Sequence, residues 1–188
     1  MGVYKLDMNK CILERYISAN YQSYNEMNGD NINDVFVDES KRIWLANYPT
    51  GITVIDYRYE NYHWMKHSMG NKQSIVNDQV HAVIEDSDGD LWFGTSNGIS
   101  LYNSGTGEWH SFLSSFNHQL KDKNHIFITL CEVSPGIIWA GGYTSGIYKI
   151  NKADLSVEYF SPYLLSHINM RPDKYIRDMI KDSKGHIW

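Results

Sequence analysis

Four tryptophans, Trp44, Trp92, Trp139 and Trp188, are separated by 48, 47 and 49 residues, and no other feature limits the fold of this chain so tightly. They sit in similar words: "RIWLANYPTGITVID" ending at Asp56, "DLWFGTSNGISLYN" ending at Asn103, "IIWAGGYTSGIYKIN" ending at Asn151, and the final "GHIW". A second marker, the glycine at Gly2, Gly51, Gly98 and Gly146, steps by 49, 47 and 48. Two markers that keep one period make the chain a set of repeats, so each residue is best read beside its counterparts.

Each unit reads as four short strands. An apolar run ("INDVFVD", "VHAVIED", "FITLCEV", "IRDMIKD") precedes a tight turn ("ESKR", "SDGD", "SPGI", "SKGH") and the Trp strand. A Gly loop then leads to a third strand ("GITVIDY", "GISLYN", "GIYKIN"), and a polar turn leads to a fourth ("NYHWMKH", "EWHSFLS", "VEYFSPY"). Runs of four to seven residues rich in β-branched and aromatic side chains, bounded by Gly, Asn, Asp and Ser, satisfy the rules for strands and turns. Fourteen Tyr, 6 Trp and 6 Phe in 188 residues agree with β-structure.

Four antiparallel strands per unit of this length is the arithmetic of a β-propeller blade. The predicted fold is therefore all-β, a propeller fragment of three full blades and two half blades. The units run 2–27 (half), 28–75, 76–124, 125–171 and 172–188 (half). One blade cannot bury both faces of its own sheet, so its neighbours must cover them. Trp44, Trp92, Trp139 and Trp188 are assigned to that blade core, each indole N–H reaching a backbone carbonyl at a sheet edge. Half a blade at each end predicts an arc of a larger ring, or one completed by another copy, with edges open to association.

Several functions are disfavoured by the residues present. A net charge of −5 without basic clusters gives no footprint for nucleic acid or for an anionic membrane. No apolar run approaches the length of a membrane span. Cys11 and Cys131 lie in dissimilar contexts and do not define a redox compartment. Neither an HExxH helix nor a G-x-S-x-G elbow occurs, so no catalytic residue, metal ligand or cofactor is assigned. The stretch "DSDGD" from Asp86 resembles the start of a calcium loop, but its glycine falls at the fourth position rather than the sixth. Its counterparts "ESKR" and "SKGH" lack the carboxylates of Asp88 and Asp90, so it is read as a turn with Asp86 holding the backbone and Gly89 at positive φ. "GTSNG" leads into a strand rather than a helix and is no phosphate loop.

At this point "VNDQVHAVIEDSDGDLWFGTSNGISLYNSGTGEWHSF" resembles the propeller repeats in the periplasmic sensor region of Bacteroides-type hybrid two-component systems. Asn77, Glu85, Asp86, Gly89, Leu91, Trp92, Gly94, Thr95, Gly98, Ile99, Thr106 and Gly107 fit the repeat. The other copies depart from it in places: Lys41 replaces the turn glycine, Val133 the aspartate, and Ala46 stands at Gly94, where Gly141 keeps the glycine. The resemblance implies an extracytoplasmic, periplasmic sensor that responds to carbohydrate breakdown products on behalf of a histidine kinase elsewhere in the receptor. No phospho-acceptor or nucleotide motif of such a kinase is present, and the fragment itself is read as non-enzymatic.

Candidate ligand contacts lie where the copies differ. Tyr48 and Tyr143 in the Gly loops could stack on a sugar face, and Asn97 sits in the loop between them in sequence. Asn33, His81, Ile128 and Arg177 share one register at the start of the first strand, where polar members would line the mouth of the central channel. The lengthening connections between units carry His118, His125, His167 and Arg171, expected on the same face. The partners implied are an oligosaccharide or other small ligand, and neighbouring blades or a second receptor chain. Two rivals stay open: a fragment of a propeller lyase that uses a metal and a histidine base, and a pure dimerisation scaffold.

Overall fold

A computed structural model describes residues 3–17, 31–56, 61–115, 125–160 and 175–188. Among them there is no helix. A hairpin pairs β1 (Val3–Asp7) with β2 (Ile12–Ile17). Three four-stranded antiparallel sheets follow, each a meander in chain order. The first is β3 (Ile32–Val37), β4 (Ile43–Asn47), β5 (Gly51–Asp56) and β6 (Asn61–Met65). The second is β7 (Val80–Glu85), β8 (Leu91–Thr95), β9 (Gly98–Tyr102) and β10 (Trp109–Phe112). The third is β11 (Phe127–Ser134), β12 (Ile137–Gly142), β13 (Ile147–Asn151) and β14 (Ser156–Phe160). Residues 175–188 run on as an extended segment closed by one bridge, Lys181 to Ile187.

The sheets stack face to face, with β7 lying against both β3 and β11. One apolar cluster joins the first two sheets through Trp44, Ile52 and Val54 on one side and Val83, Leu91, Phe93 and Trp109 on the other. A second joins the next pair through Trp92, Ile99, Leu101 and Phe112 against Phe127, Ile138, Tyr148 and Ile150. Every residue of β8 is buried as a result, where a sheet with one wet face would alternate. Mutual covering of blades is the physical reason the aromatic residues occupy both strand faces.

The repeated tryptophan shows how this covering fades along the chain. Trp44 and Trp92 are 1% and 0% exposed, with Phe93 of the next sheet 6.1 Å from Trp44. Trp139 is half-buried, its ring 5.0 Å from Phe160. Trp188 departs from the expected core role: it is 75% exposed, because no sheet among the described residues covers it. The indole N–H groups also find a different partner from the carbonyl expected. Trp44, Trp92 and Trp188 donate to Asp38, Asp86 and Asp182, six residues earlier, at 3.0, 2.8 and 3.0 Å. The same carboxylates accept the backbone N–H of Arg42, Asp90 and His186 across the turn. Val133 removes that acceptor in the third copy.

The DSDGD segment forms the β7–β8 turn, with Gly89 at φ +83° and Asp86 Oδ1 accepting the N–H groups of Asp88 and Asp90 at 3.0 Å each. Its three carboxylates have a further use. Lys152, in the β13–β14 turn of the third sheet, places its ammonium 2.7, 2.8 and 2.9 Å from Asp86, Asp88 and Asp90. Burial raises the pKa of Asp86, but the hydrogen bonds from Lys152 and Trp92 outweigh it and the net shift is downward. Lys152 is itself pushed above the ordinary lysine range, its burial offset by the three carboxylates. Glu132 adds a second tie between the same sheets, accepting the N–H and hydroxyl of Ser87 at 2.9 Å each.

Candidate functional site

The Gly loops and the starts of β3, β7 and β11 lie together at one end of the sheets, because each first strand runs antiparallel to the Trp strand that ends there. Each loop clasps the lead-in to the next sheet: Gly51 N–H donates to Asp78 O and Gly98 N–H to His125 O, both at 2.7 Å. At Gly98 the requirement for glycine is severe. Its φ is +100°, and a Cβ would stand 2.5 Å from Phe112 O.

The register that carries Asn33, His81 and Ile128 has a structural cause. In each complete sheet the pairing slips there, between Ile32 and Asp34, Val80 and Ala82, and Phe127 and Thr129. The residue between is the extra one of a β-bulge, and a bulge re-aims its side chain. The residue after it ties sheet to sheet. Asp34 Oδ2 accepts the N–H of Val83 at 2.9 Å, and Thr129 Oγ1 accepts that of Met179 at 3.1 Å. Ala82 offers no such acceptor. Burial raises the pKa of Asp34 despite the N–H groups of Val83 and Val35, and the charge of Asp178 adds to the rise.

Three of the sequence candidates converge at the first bulge. Asn33 Nδ2 donates to Val80 O at 2.9 Å and lies 3.3 Å from His81 Nδ1. His81 Nε2 is 2.8 Å from Ser96 Oγ, and the Tyr48 ring is 5.8 Å from the imidazole at 32°. Asn33 is exposed; Tyr48, His81 and Ser96 are half-buried. Burial holds the His81 pKa below the usual histidine value. Ser96 escapes the sequence reading, although counting four residues past each tryptophan would have found it. Tyr48, Ser96 and Tyr143 share that position, and their N–H groups donate to the equivalent carbonyls of Asn31, Gln79 and Ile126.

A second group forms two junctions further on, between the third sheet and residues 175–188. The exposed Tyr143 meets Tyr175 edge to face at 4.8 Å, and Arg177 lies 5.2 Å over the Tyr175 ring. Asn97 and His125 serve as stitches: Asn97 Oδ1 accepts Ser115 N–H at 3.0 Å, and His125 Nδ1 donates to Leu113 O at 2.8 Å. Ile128 brings no polar group to its bulge. Arg171, His118 and His167 lie outside the described residues. No group of three or more His, Cys, Asp or Glu side chains is placed to hold a metal ion among the described residues. Nor is any helix among them long and apolar enough to cross a membrane.

Stacked four-stranded meanders around a shared inner edge define the class: this is β-propeller architecture. Residues 74–97, which include His81 and Ser96, match the family described as Two component regulator propeller. In shape the chain is similar to the extracellular domain of the hybrid two component system BT3049 from Bacteroides thetaiotaomicron, with TM-score 0.76 and 20% identity over 95% of this chain. The extracellular domain of BT4673 from the same organism matches at TM-score 0.68 and 20% identity over 97% of this chain. The chain spans 23% of the length of each. A virginiamycin B lyase from Staphylococcus aureus also matches, at TM-score 0.57 and 13% identity over 82% of this chain and 46% of the lyase. No curated protein sequence matches the chain.

Proposed function

We propose that the chain is part of the extracytoplasmic sensor propeller of a two-component receptor, and that the loop end of its sheets contacts a carbohydrate. The observation that carries this reading is the regulator-propeller match at 74–97, which supplies His81 and Ser96 to the group that Asn33 and Tyr48 complete from the preceding sheet. A half-exposed aromatic face beside amide and hydroxyl groups is the ordinary chemistry of sugar recognition: the ring covers C–H bonds while polar groups meet hydroxyls. The signal would be a population shift. Ligand held between two sheets favours one packing of the propeller and so one placement of two receptor chains, which biases a kinase elsewhere.

Calorimetric titration of the chain with a panel of neutral and acidic oligosaccharides tests the reading. Binding at millimolar or better affinity is expected. A panel that fails while a second receptor chain binds would replace the sugar sensor with an assembly scaffold. That alternative draws on the exposed apolar side chains Val35, Val37, Ile180 and Trp188.

A further inference from the structure

The group at the first bulge has its proton positions decided by chemistry. Val80 O can only accept, so the Asn33 atom 2.9 Å from it is the amide nitrogen. That nitrogen only donates, and it faces His81 Nδ1 at 3.3 Å, so Nδ1 carries no proton. The neutral ring therefore keeps its proton on Nε2, directed at Ser96 Oγ 2.8 Å away, and the serine accepts. The hydroxyl hydrogen of Ser96 must then point elsewhere. Two groups are left over among the described residues: Asn33 Oδ1, an acceptor, and the Ser96 hydroxyl, a donor. The two residues flank the imidazole, one at each ring nitrogen. The Tyr48 ring lies beside them.

We propose that this mouth is a subsite for a neutral pyranose, in which one hydroxyl donates to Asn33 Oδ1, another accepts from Ser96, and the ring's C–H face rests on Tyr48. The proposal rests on the carbohydrate reading and specifies its ligand: no charged side chain takes part. His81 is a positioning residue, since it orients Ser96 and Asn33 without touching the sugar. This role makes binding sensitive to acid. Protonation puts a hydrogen on Nδ1, opposite the Asn33 amide hydrogens, and donor then faces donor. Relief requires the amide to rotate, which releases Val80 O and turns nitrogen instead of oxygen toward the ligand. The groups facing the imidazole are Asn33 from β3, Tyr48 from the β4–β5 loop and Ser96 from the β8–β9 loop. No carboxylate or cation lies within ion-pair distance of it among the described residues.

The test combines titration of the full chain with neutral and uronate- or sulfate-bearing oligosaccharides and nitrogen-15 NMR of the histidine rings. Wild type should bind a neutral sugar, and Ser96→Ala should weaken it about tenfold, the loss of one hydrogen bond to ligand. Affinity should fall as pH drops through the His81 titration, and His81→Phe should bind more weakly than wild type with that pH dependence gone. His81 should show the Nε2–H tautomer at neutral pH, a readout that needs no ligand. Neutral-sugar binding indifferent to Ser96→Ala, binding of acidic sugars alone, or an Nδ1–H tautomer overturns the subsite and leaves the sensor reading intact. Failure of every sugar overturns both.

Discussion

Replacing Lys152 by methionine keeps most of the side-chain volume and removes the charge from the three-carboxylate cage. Lys152 is 16% exposed in its side chain, Asp86 is 0% and Asp90 is 7%, whereas Asp88 is 68% exposed. Removing one partner from a buried charge pair costs about 3–5 kcal/mol, because the other is left uncompensated. Solvent around Asp88 screens part of that here, which places the expectation near the low end, about 3 kcal/mol. For a chain of this size that corresponds to a fall of roughly 6–12 °C in Tm. Thermal unfolding followed by circular dichroism measures it, and hydrogen exchange should place the loss at the β7–β8 and β13–β14 turns. The acid limb follows from the same cage. Asp86 is held below its ordinary pKa, so its contribution is present above the unfolded value, near 3.9, and is lost as pH falls through the lower folded value. Lys152, held above its ordinary pKa, contributes fully below the unfolded lysine value and loses that contribution as pH rises through its folded value. Lys152→Met should flatten the acid limb as well as lower the plateau. A loss under about 1 kcal/mol at neutral pH would refute the cage as a tie between the sheets, since exposed pairs are worth no more.

Lys41→Gly should stabilise the chain by about 0.5–1 kcal/mol in denaturant melts, because Lys41 holds φ +66° where Gly89, Gly136 and Gly185 hold +83°, +73° and +84°. Asp34→Ala should lower stability by about 1–3 kcal/mol by orphaning the N–H of buried Val83, with exchange of that amide rising first. Gly98→Ala should be among the most damaging changes, about 3 kcal/mol or more by urea unfolding, since the added Cβ has both a left-handed backbone and Phe112 O to contend with.

The repeat made much of the architecture readable before any coordinates. A period kept by tryptophan and glycine specifies strand number, turn positions and the need for neighbours, and those are local or near-local properties. The turn at Asp86 was legible for the same reason: Asp86 and Gly89 act within their own hairpin. The partners across sheets were not. Lys152 reaches its cage over a sequence separation of 64 residues from Asp88, and nothing near either marks the pairing. The bulge register was visible as a column of unlike residues, but its consequences depended on which neighbour each met. Asn33 met His81, and His81 met Ser96, while Ile128 met none of them. Asn97 and His125 stood in the right loops yet spend hydrogen-bonding atoms on Ser115 N–H and Leu113 O. Trp188 follows the sequence rule for a core tryptophan and is exposed because covering comes from the next sheet, not from the residue.

The most direct test of a ligand-reading loop end is a nitrogen-15 chemical-shift map of the chain, titrated with the oligosaccharides of the panel. Shifts should gather at Asn31–Asn33, Tyr48, Gln79–His81 and Ser96, with the opposite-end turns at Asp86–Asp90 and Asn103–Glu108 unmoved. Shifts confined to those opposite-end turns, or none at saturating sugar, would contradict it.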